Sequence, residues 1–441
     1  MSSPDPAKAG LKASLAKRRC HVFIPAAAVL LLAQVCALAA DKPVAPEKPQ
    51  TESPAAPGKL QEGGLPPYEF GYTNPLYATL AGFLSIKDLE LKGQNSYKLE
   101  IKSFRKKMPV KAILQPHEAP LVVVLLGVDG KADSPLGKLW VSWYAEAGYH
   151  VLTFDSTFRP SFVEISGHGA SGNLKADAEQ VKDILAAFLD LSEVHGKVQK
   201  FGIVGMSYGG LQALMLGQMA QQGHLPFKID ALQAYSPPVN IAKTGELLDR
   251  WYNEDRWNYT LVQLADKLAD HKPVGPDKPV PFDDSLMRAG IAALFRLNLA
   301  DVILRNDIYF KLHKLPSGDE FDDQYIKEEY AKTWGYQRFM EDMAFPYWQQ
   351  KAGLKNLSDM MGPAELAHLL ENQLPCAQVI LSEDDPFNTA EDMAGFKAAA
   401  AKKNVLFLPR GGHLGYVNEP WTKAKLLTLF RRPEPQASSA K

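Results

Sequence analysis

The chain is short of cysteine, of net charge and of long apolar runs, and each shortage excludes a class of protein. Three cysteines occur in 441 residues. Cys20 and Cys36 fall within the first forty, so a chain that loses that segment keeps Cys376 alone and forms no internal disulfide, even in an oxidising compartment. Cys376 opens an apolar strand pattern and is expected to be a buried small hydrophobe. Lysine and arginine total 49 against 50 acidic residues, a formal net charge of −1. That balance speaks against nucleic acid or an anionic membrane surface as partner. The apolar stretch 22–35 is interrupted by Pro25 and Gln34, and it falls short of the roughly 20 residues that span a bilayer. No Cys/His cluster has ligand spacing and no glycine-rich loop cradles phosphate, so no metal or organic cofactor is expected.

What is present begins with a targeting segment. Lys12, Lys17, Arg18 and Arg19 form a basic region, residues 22–35 an apolar one, and Ala37-Leu38-Ala39 a small-residue cleavage pattern. Residues 1–39 therefore read as a signal peptide cut after Ala39, with an uncleaved anchor as the alternative, and the chain as periplasmic or secreted. No stable membrane span is expected once the signal is gone. Residues 40–67 are rich in Pro, Ala, Glu and Lys with few large apolar side chains, the composition of an extended linker. The folded part is expected to start near Tyr68, and residues 434–441 to be a flexible tail.

Strand-like and helix-like runs then alternate, as in a mainly parallel sheet covered on both faces. Leu121-Val122-Val123-Val124-Leu125-Leu126 is apolar at every position, as a strand buried on both faces should be. Residues 149–154, 201–204 and 231–236 repeat the pattern, and 378–381 and 405–408 resume it. Between Ala176 and Leu189, Val181, Ile184, Leu185, Phe188 and Leu189 recur at helical spacing. A last helix is expected over 421–430. From 239 to 375 the alternation stops, and the sequence reads as helical and rich in aromatics, among them Trp251, Phe295, Trp334, Tyr336 and Trp348. The expected architecture is a catalytic α/β domain over 68–238 and 376–433, with 239–375 inserted as a helical cap. The cap's aromatics should mostly form its own core.

The chemistry is concentrated where Phe201-Gly202-Ile203-Val204 leads into Gly205-Met206-Ser207-Tyr208-Gly209 and an apolar helical run. A strand, a sharp turn carrying serine and a helix form the context of a nucleophile elbow, with glycine two residues either side of the serine because the turn has no room for a side chain. A serine hydroxyl needs a neighbouring imidazole to take its proton and a carboxylate to orient that imidazole. His413 fits the base, in the loop Gly411-Gly412-His413-Leu414-Gly415 just after the last strand pattern. His168, in Gly167-His168-Gly169, precedes the serine and is set aside on chain order. The acid falls in Ser382-Glu383-Asp384-Asp385-Pro386-Phe387, where Asp385 is preferred and Asp384 is the alternative. Backbone N–H groups of Tyr208 and of Val128, in Gly127-Val128-Asp129-Gly130, are the expected oxyanion donors.

With these three pieces in hand, residues 121–430 outside the insertion resemble the α/β-hydrolase fold superfamily. Within it, Gly127-Val128-Asp129-Gly130 with Ser134-Pro135, Asp384-Asp385-Pro386-Phe387 and Gly411-Gly412-His413-Leu414-Gly415-Tyr416 look like the YheT-type hydrolases. That resemblance implies esterase activity on short or medium acyl esters, with Ser207, Asp385 and His413 as the triad. The expected function is an exported serine hydrolase acting on a small-molecule or lipid ester. Peptide substrates, cleaved by a peptidase on the same fold, are the alternative. A non-catalytic envelope binding protein is the reading outside the enzymes.

Overall fold

The computed structural model describes residues 65–431 apart from 168, 257–258, 261–262, 265–281, 317–322, 361–364 and 402. The signal segment 1–39, nearly all of the linker, the 434–441 tail and His168 lie outside the described residues.

Eight strands form one sheet in the order β1-β2-β4-β3-β5-β6-β7-β8. They are β1 (Gln94–Leu99), β2 (Met108–Ile113), β3 (Ala119–Leu125), β4 (His150–Thr153), β5 (Val198–Met206), β6 (Ala231–Tyr235), β7 (Ala377–Ser382) and β8 (Val405–Leu408). From β4 to β8 every pairing is parallel, while β1 and β2 pair antiparallel with each other and β2 antiparallel with β4. The six apolar runs of the sequence are the six parallel strands. Their central members are buried on both faces, which is why they carry no polar alternation. The antiparallel pair β1 and β2 is an addition to the expected sheet. β1 stands at the edge with most of its side chains in water, so it reads as polar. Pro109 of β2 stands opposite Lys98 of β1 but outside residues 111–113, the stretch that pairs with β4, so only one side of the strand is laddered there.

Helices cover the sheet. In chain order they are α1 (Pro75–Leu84), α2 (Pro135–Glu146), α3 (Pro160–Ile165), α4 (Leu174–Leu189) and α5 (Tyr208–Gln221). Between β6 and β7 follow α6 (Ile241–Asp255), α7 (Asp284–Tyr309), α8 (Asp323–Ala331), α9 (Tyr336–Phe339), a π-helical turn (Met340–Ala344), α10 (Phe345–Ala352), α11 (Leu357–Met360) and α12 (Leu366–Leu369). After β7 come α13 (Ala390–Ala400) and α14 (Pro420–Leu426). Helix α4 begins two residues ahead of Ala176 because the Asn173 side chain accepts from the Ala176 N–H. The final helix is shorter than the expected 421–430, its last residues being turns.

Every described element between β6 and β7 is helical, with a single isolated bridge between Asn240 and Glu365. Leu247, Leu248 and Trp251 of α6 and Met287, Ile291 and Ala292 of α7 pack together with Leu76 and Leu80 of α1. Helix α1 was not foreseen. Asn74 caps it, accepting from the Tyr77 N–H, and Pro75 occupies its first turn. Ahead of it, Leu65, Tyr68 and Phe70 already pack on the core. Cys376 is half-buried just before β7 rather than buried within it, and burial still pushes its thiol pKa up. No helix of the described residues is long and apolar enough to cross a membrane.

Candidate active site

β5 delivers its C-terminal end to the centre of the sheet edge, and Ser207 turns the chain from that strand into α5. Its φ of 52° and ψ of −121° put a non-glycine residue in a sparsely populated region. The turn is held from outside, since the Ser207 N–H donates to the Tyr235 carbonyl at 2.8 Å. The flanking glycines have a steric cause. A Cβ at Gly205 would stand 2.1 Å from the Gly209 oxygen, and one at Gly209 2.5 Å from the Leu125 oxygen.

Three side chains from three loops meet at this turn. Ser207 Oγ lies 2.9 Å from His413 Nε2, and His413 Nδ1 lies 2.8 Å from Asp385 Oδ2. The histidine and aspartate side chains are 1% and 0% exposed. The second Asp385 oxygen accepts from the Phe387 N–H at 2.9 Å, which fixes the carboxylate plane. With Nδ1–H donated to that carboxylate, Nε2 is left as acceptor for the serine hydroxyl. The Phe387 ring covers the imidazole, centroids 4.2 Å apart. Asp384 points elsewhere. Its carboxylate accepts from the Gly412 N–H at 2.9 Å and from the Ser382 hydroxyl, and so pins the histidine loop by its backbone.

The loop after β3 runs beside the serine. A Cβ on Gly127 would lie 3.2 Å from that of Ser207, and Val128, Ser207 and Tyr208 line one cavity of about 100 Å³. The loop is braced at both ends. The Gly130 N–H donates to the Gly127 carbonyl at 2.9 Å, and Arg159 donates to the Asp129 carbonyl at 3.0 Å. Tyr208 opens α5, where first-turn N–H groups have no partner within the helix. Its hydroxyl donates to Asp177 at 2.6 Å, and burial with that carboxylate beside it raises the phenol pKa well above its usual value.

The remaining wall comes largely from the helices between β6 and β7. Leu248, Phe295, Tyr336 and Met340 face the cavity with Phe158 and Phe387, while Glu246 and Glu341 are the acidic residues of its lining. Trp251, Trp334 and Trp348 are buried without lining it, Trp348 donating to the Ala170 carbonyl at 2.8 Å and Trp251 packing beside Phe387. Met340 and Glu341 open the π-helical turn, and such widened turns recur where a helix bends around a site.

The parallel sheet, the elbow and the order serine, acid, histidine define an α/β hydrolase. The profile of the alpha/beta hydrolase family matches residues 134–422, and the chain belongs to that family. No curated protein matches it significantly. Among solved structures it is similar to the carboxylesterase CesB of Bacillus subtilis, at 13% identity and a TM-score of 0.42, over 81% of this chain and 97% of that one. It is also similar to the esterase Pf2001 of Pyrococcus furiosus, at 14% identity and a TM-score of 0.44, over 83% and 99%. Est1E of Butyrivibrio proteoclasticus follows at 12% identity and a TM-score of 0.38, over 76% and 98%. These are distant likenesses that transfer no substrate.

Three contributions escaped the sequence reading: the Asp384 contact to the loop, the Asp177–Tyr208 bond, and Thr79, whose hydroxyl accepts from the His413 N–H at 2.9 Å. Of these, only the helix that carries Thr79 had a signal, since Asn74-Pro75 is a helix start, and its contact with His413 had none.

Proposed function

We propose that the protein is an exported serine hydrolase that cleaves carboxylic esters through an acyl-enzyme. The observation that carries this reading is the hydrogen-bonded chain Ser207–His413–Asp385 at a strained elbow, opening into a largely apolar cavity. Ser207 Oγ attacks the ester carbonyl carbon while His413 Nε2 takes its proton. The N–H groups of Val128 and Tyr208 hold the resulting oxyanion, each such donor contributing about 3–4 kcal/mol to the transition state. The intermediate collapses as His413 returns the proton to the departing alcohol oxygen. Water then attacks the acyl carbon, giving its proton to His413, and the acid leaves as Ser207 is re-protonated. Asp385 orients the ring throughout. The apolar wall suits an acyl chain, and the 1–39 segment supports a periplasmic or secreted location.

The test is labelling by a fluorophosphonate of the wild-type protein and of Ser207→Ala, followed by an ester chain-length series and a matched ester and amide pair. Labelling confined to the wild type, with ester turnover exceeding amide turnover, is expected. A folded wild type that neither labels nor turns over any ester overturns the reading and leaves a binding protein. Faster amide cleavage makes it a peptidase.

A further inference from the structure

We infer that helix α1, which lies outside the 134–422 match to the family, is part of the catalytic framework, and that Thr79 is a positioning residue for His413. The inference rests on the proposed role of His413 as base.

The loop that carries His413 is backbone held in unusual shapes. Gly411 has a φ of 154°, Gly412 of 56° and Leu414 of 61°, so the imidazole is flanked on both sides by left-handed or extreme conformations. Glycine adopts positive φ freely, so the strained residue is Leu414, a conformation that persists only where surrounding structure over-determines it. Two successive N–H groups of the loop are met by side chains from outside it. Asp384 takes the Gly412 N–H, and Thr79 takes the His413 N–H at 2.9 Å. Thr79 is 1% exposed. Its hydroxyl donates to the Pro75 carbonyl at 2.8 Å, which aims a lone pair at the histidine N–H. A β-branched residue in a helix has few rotamers to lose, so the acceptor is fixed in advance.

The rest of α1 closes on the same loop, backbone against backbone. A Cβ at Gly412 would meet the Pro75 oxygen at 2.4 Å, and one at Gly415 the Ala78 oxygen at 2.5 Å. From the helix side, a Cβ at Gly82 would meet the Leu414 oxygen at 2.5 Å. No side chain separates the two segments at those points. Leu76 and Leu80 of α1 pack with α6 and α7, and Asn74 donates to Asp284 at 2.8 Å at the start of α7. One helix thus touches both the histidine loop and the helices that wall the substrate cavity. A base must sit within hydrogen-bond reach of the serine and then of the leaving oxygen, so a shift near 1 Å is costly.

Thr79→Val removes the acceptor and keeps the shape, and Thr79→Ser restores the hydroxyl. In Thr79→Val we expect kcat on a preferred ester to fall about tenfold to a hundredfold with KM within about twofold of wild type. Amide exchange over 412–415 should quicken, and Thr79→Ser should return both readouts towards wild type. A Thr79→Val kcat within about twofold of wild type, a loss carried by KM, or no rescue by serine overturns the inference. Exchange is read without substrate, so the proposed function can fail separately. A wild type without esterase activity sinks that function, and exchange then decides alone: quickened in Thr79→Val and restored in Thr79→Ser upholds the contact, unchanged overturns it.

Discussion

The two sides of the cavity are built differently. On the sheet side the parts are positioned by backbone. Glycines admit close approach, consecutive N–H groups find acceptors, and the His413 and Asp385 side chains are nearly inaccessible. On the helical side the wall is packed side chain, Leu248, Phe295, Tyr336 and Met340, with the exposed carboxylates Glu246 and Glu341 beside them. Backbone packing has one solution, whereas side-chain packing can be redrawn by volume-conserving exchange. The sheet side should therefore be intolerant of substitution, and the helical side should tolerate change while altering which acyl groups fit.

The largest effect is expected where chemistry and backbone coincide. Ser207→Ala should lower kcat about a million-fold and Asp385→Asn about ten-thousand-fold, with melting temperatures near wild type. Steady-state ester hydrolysis with calorimetry checks both, and a surviving rate in folded Ser207→Ala would break the comparison at its root. Next come paired glycines. At Gly209 a Cβ meets the Leu125 and Leu126 backbone oxygens at 2.5 and 2.6 Å, whereas at Gly245, within α6 and against α9, it meets the Tyr336 Cβ at 3.1 Å. Gly209→Ala should cost about 3 kcal/mol and Gly245→Ala about 1 kcal/mol or less, read from urea midpoints at constant slope. Equal costs would mean that the two sides are equally rigid.

The same division explains what could be read from the sequence. The elbow, the acid turn and the histidine loop are local patterns, each fixed by residues within a few positions, and the six parallel strands announce themselves by unbroken apolar runs. Spacing from the strand end and the following Pro386-Phe387 favoured Asp385 and left Asp384 as the alternative. In the fold one carboxylate faces the imidazole and the other the Gly412 N–H, a division made by the path of a loop 28 residues away. Thr79 and His413 are 334 residues apart, and no periodicity encodes such a meeting. β1 was illegible because an edge strand in water loses the apolar signal that marks the others. Among the aromatics between β6 and β7, the sequence could not tell that Phe295 and Tyr336 reach the cavity while Trp334 does not, because helical periodicity gives a face and not its neighbour.

A charge under the sheet side gives a smaller effect with a defined sign. Lys425 on α14 is 8% exposed, and burial pushes its ammonium down to about 8. Below pH 8 folded and unfolded chains both hold the proton, and the folded one bears the desolvation cost. Between pH 8 and the unfolded value near 10.5 the unfolded chain binds more protons, so stability rises with pH. Buried Tyr144 and Tyr235, whose hydroxyls are held above their usual range, oppose this above about pH 10. Subtraction isolates the lysine: Lys425→Met should be more stable than wild type by about 2–3 kcal/mol below pH 8, with the gap closing towards pH 10.5. A gap independent of pH would assign the gain to packing instead.

The smallest effect tests the tolerant side. Met340 begins the π-helical turn and faces the cavity with a flexible side chain that fills irregular space. Met340→Trp adds volume there without touching the Ser207–His413–Asp385 chain. Labelling by a small fluorophosphonate should stay within about twofold of wild type, because a short probe leaves the wall that Met340 lines unfilled. Turnover of the longest accepted acyl ester should fall about tenfold against that of an acetate, moving the chain-length optimum to shorter acids. The ratio between the two esters is the quantity to follow, since it cancels changes in folded fraction. Were both esters to lose rate equally, the helical wall would be shaping the reacting centre itself, and the two sides of the cavity would have to be treated as one unit.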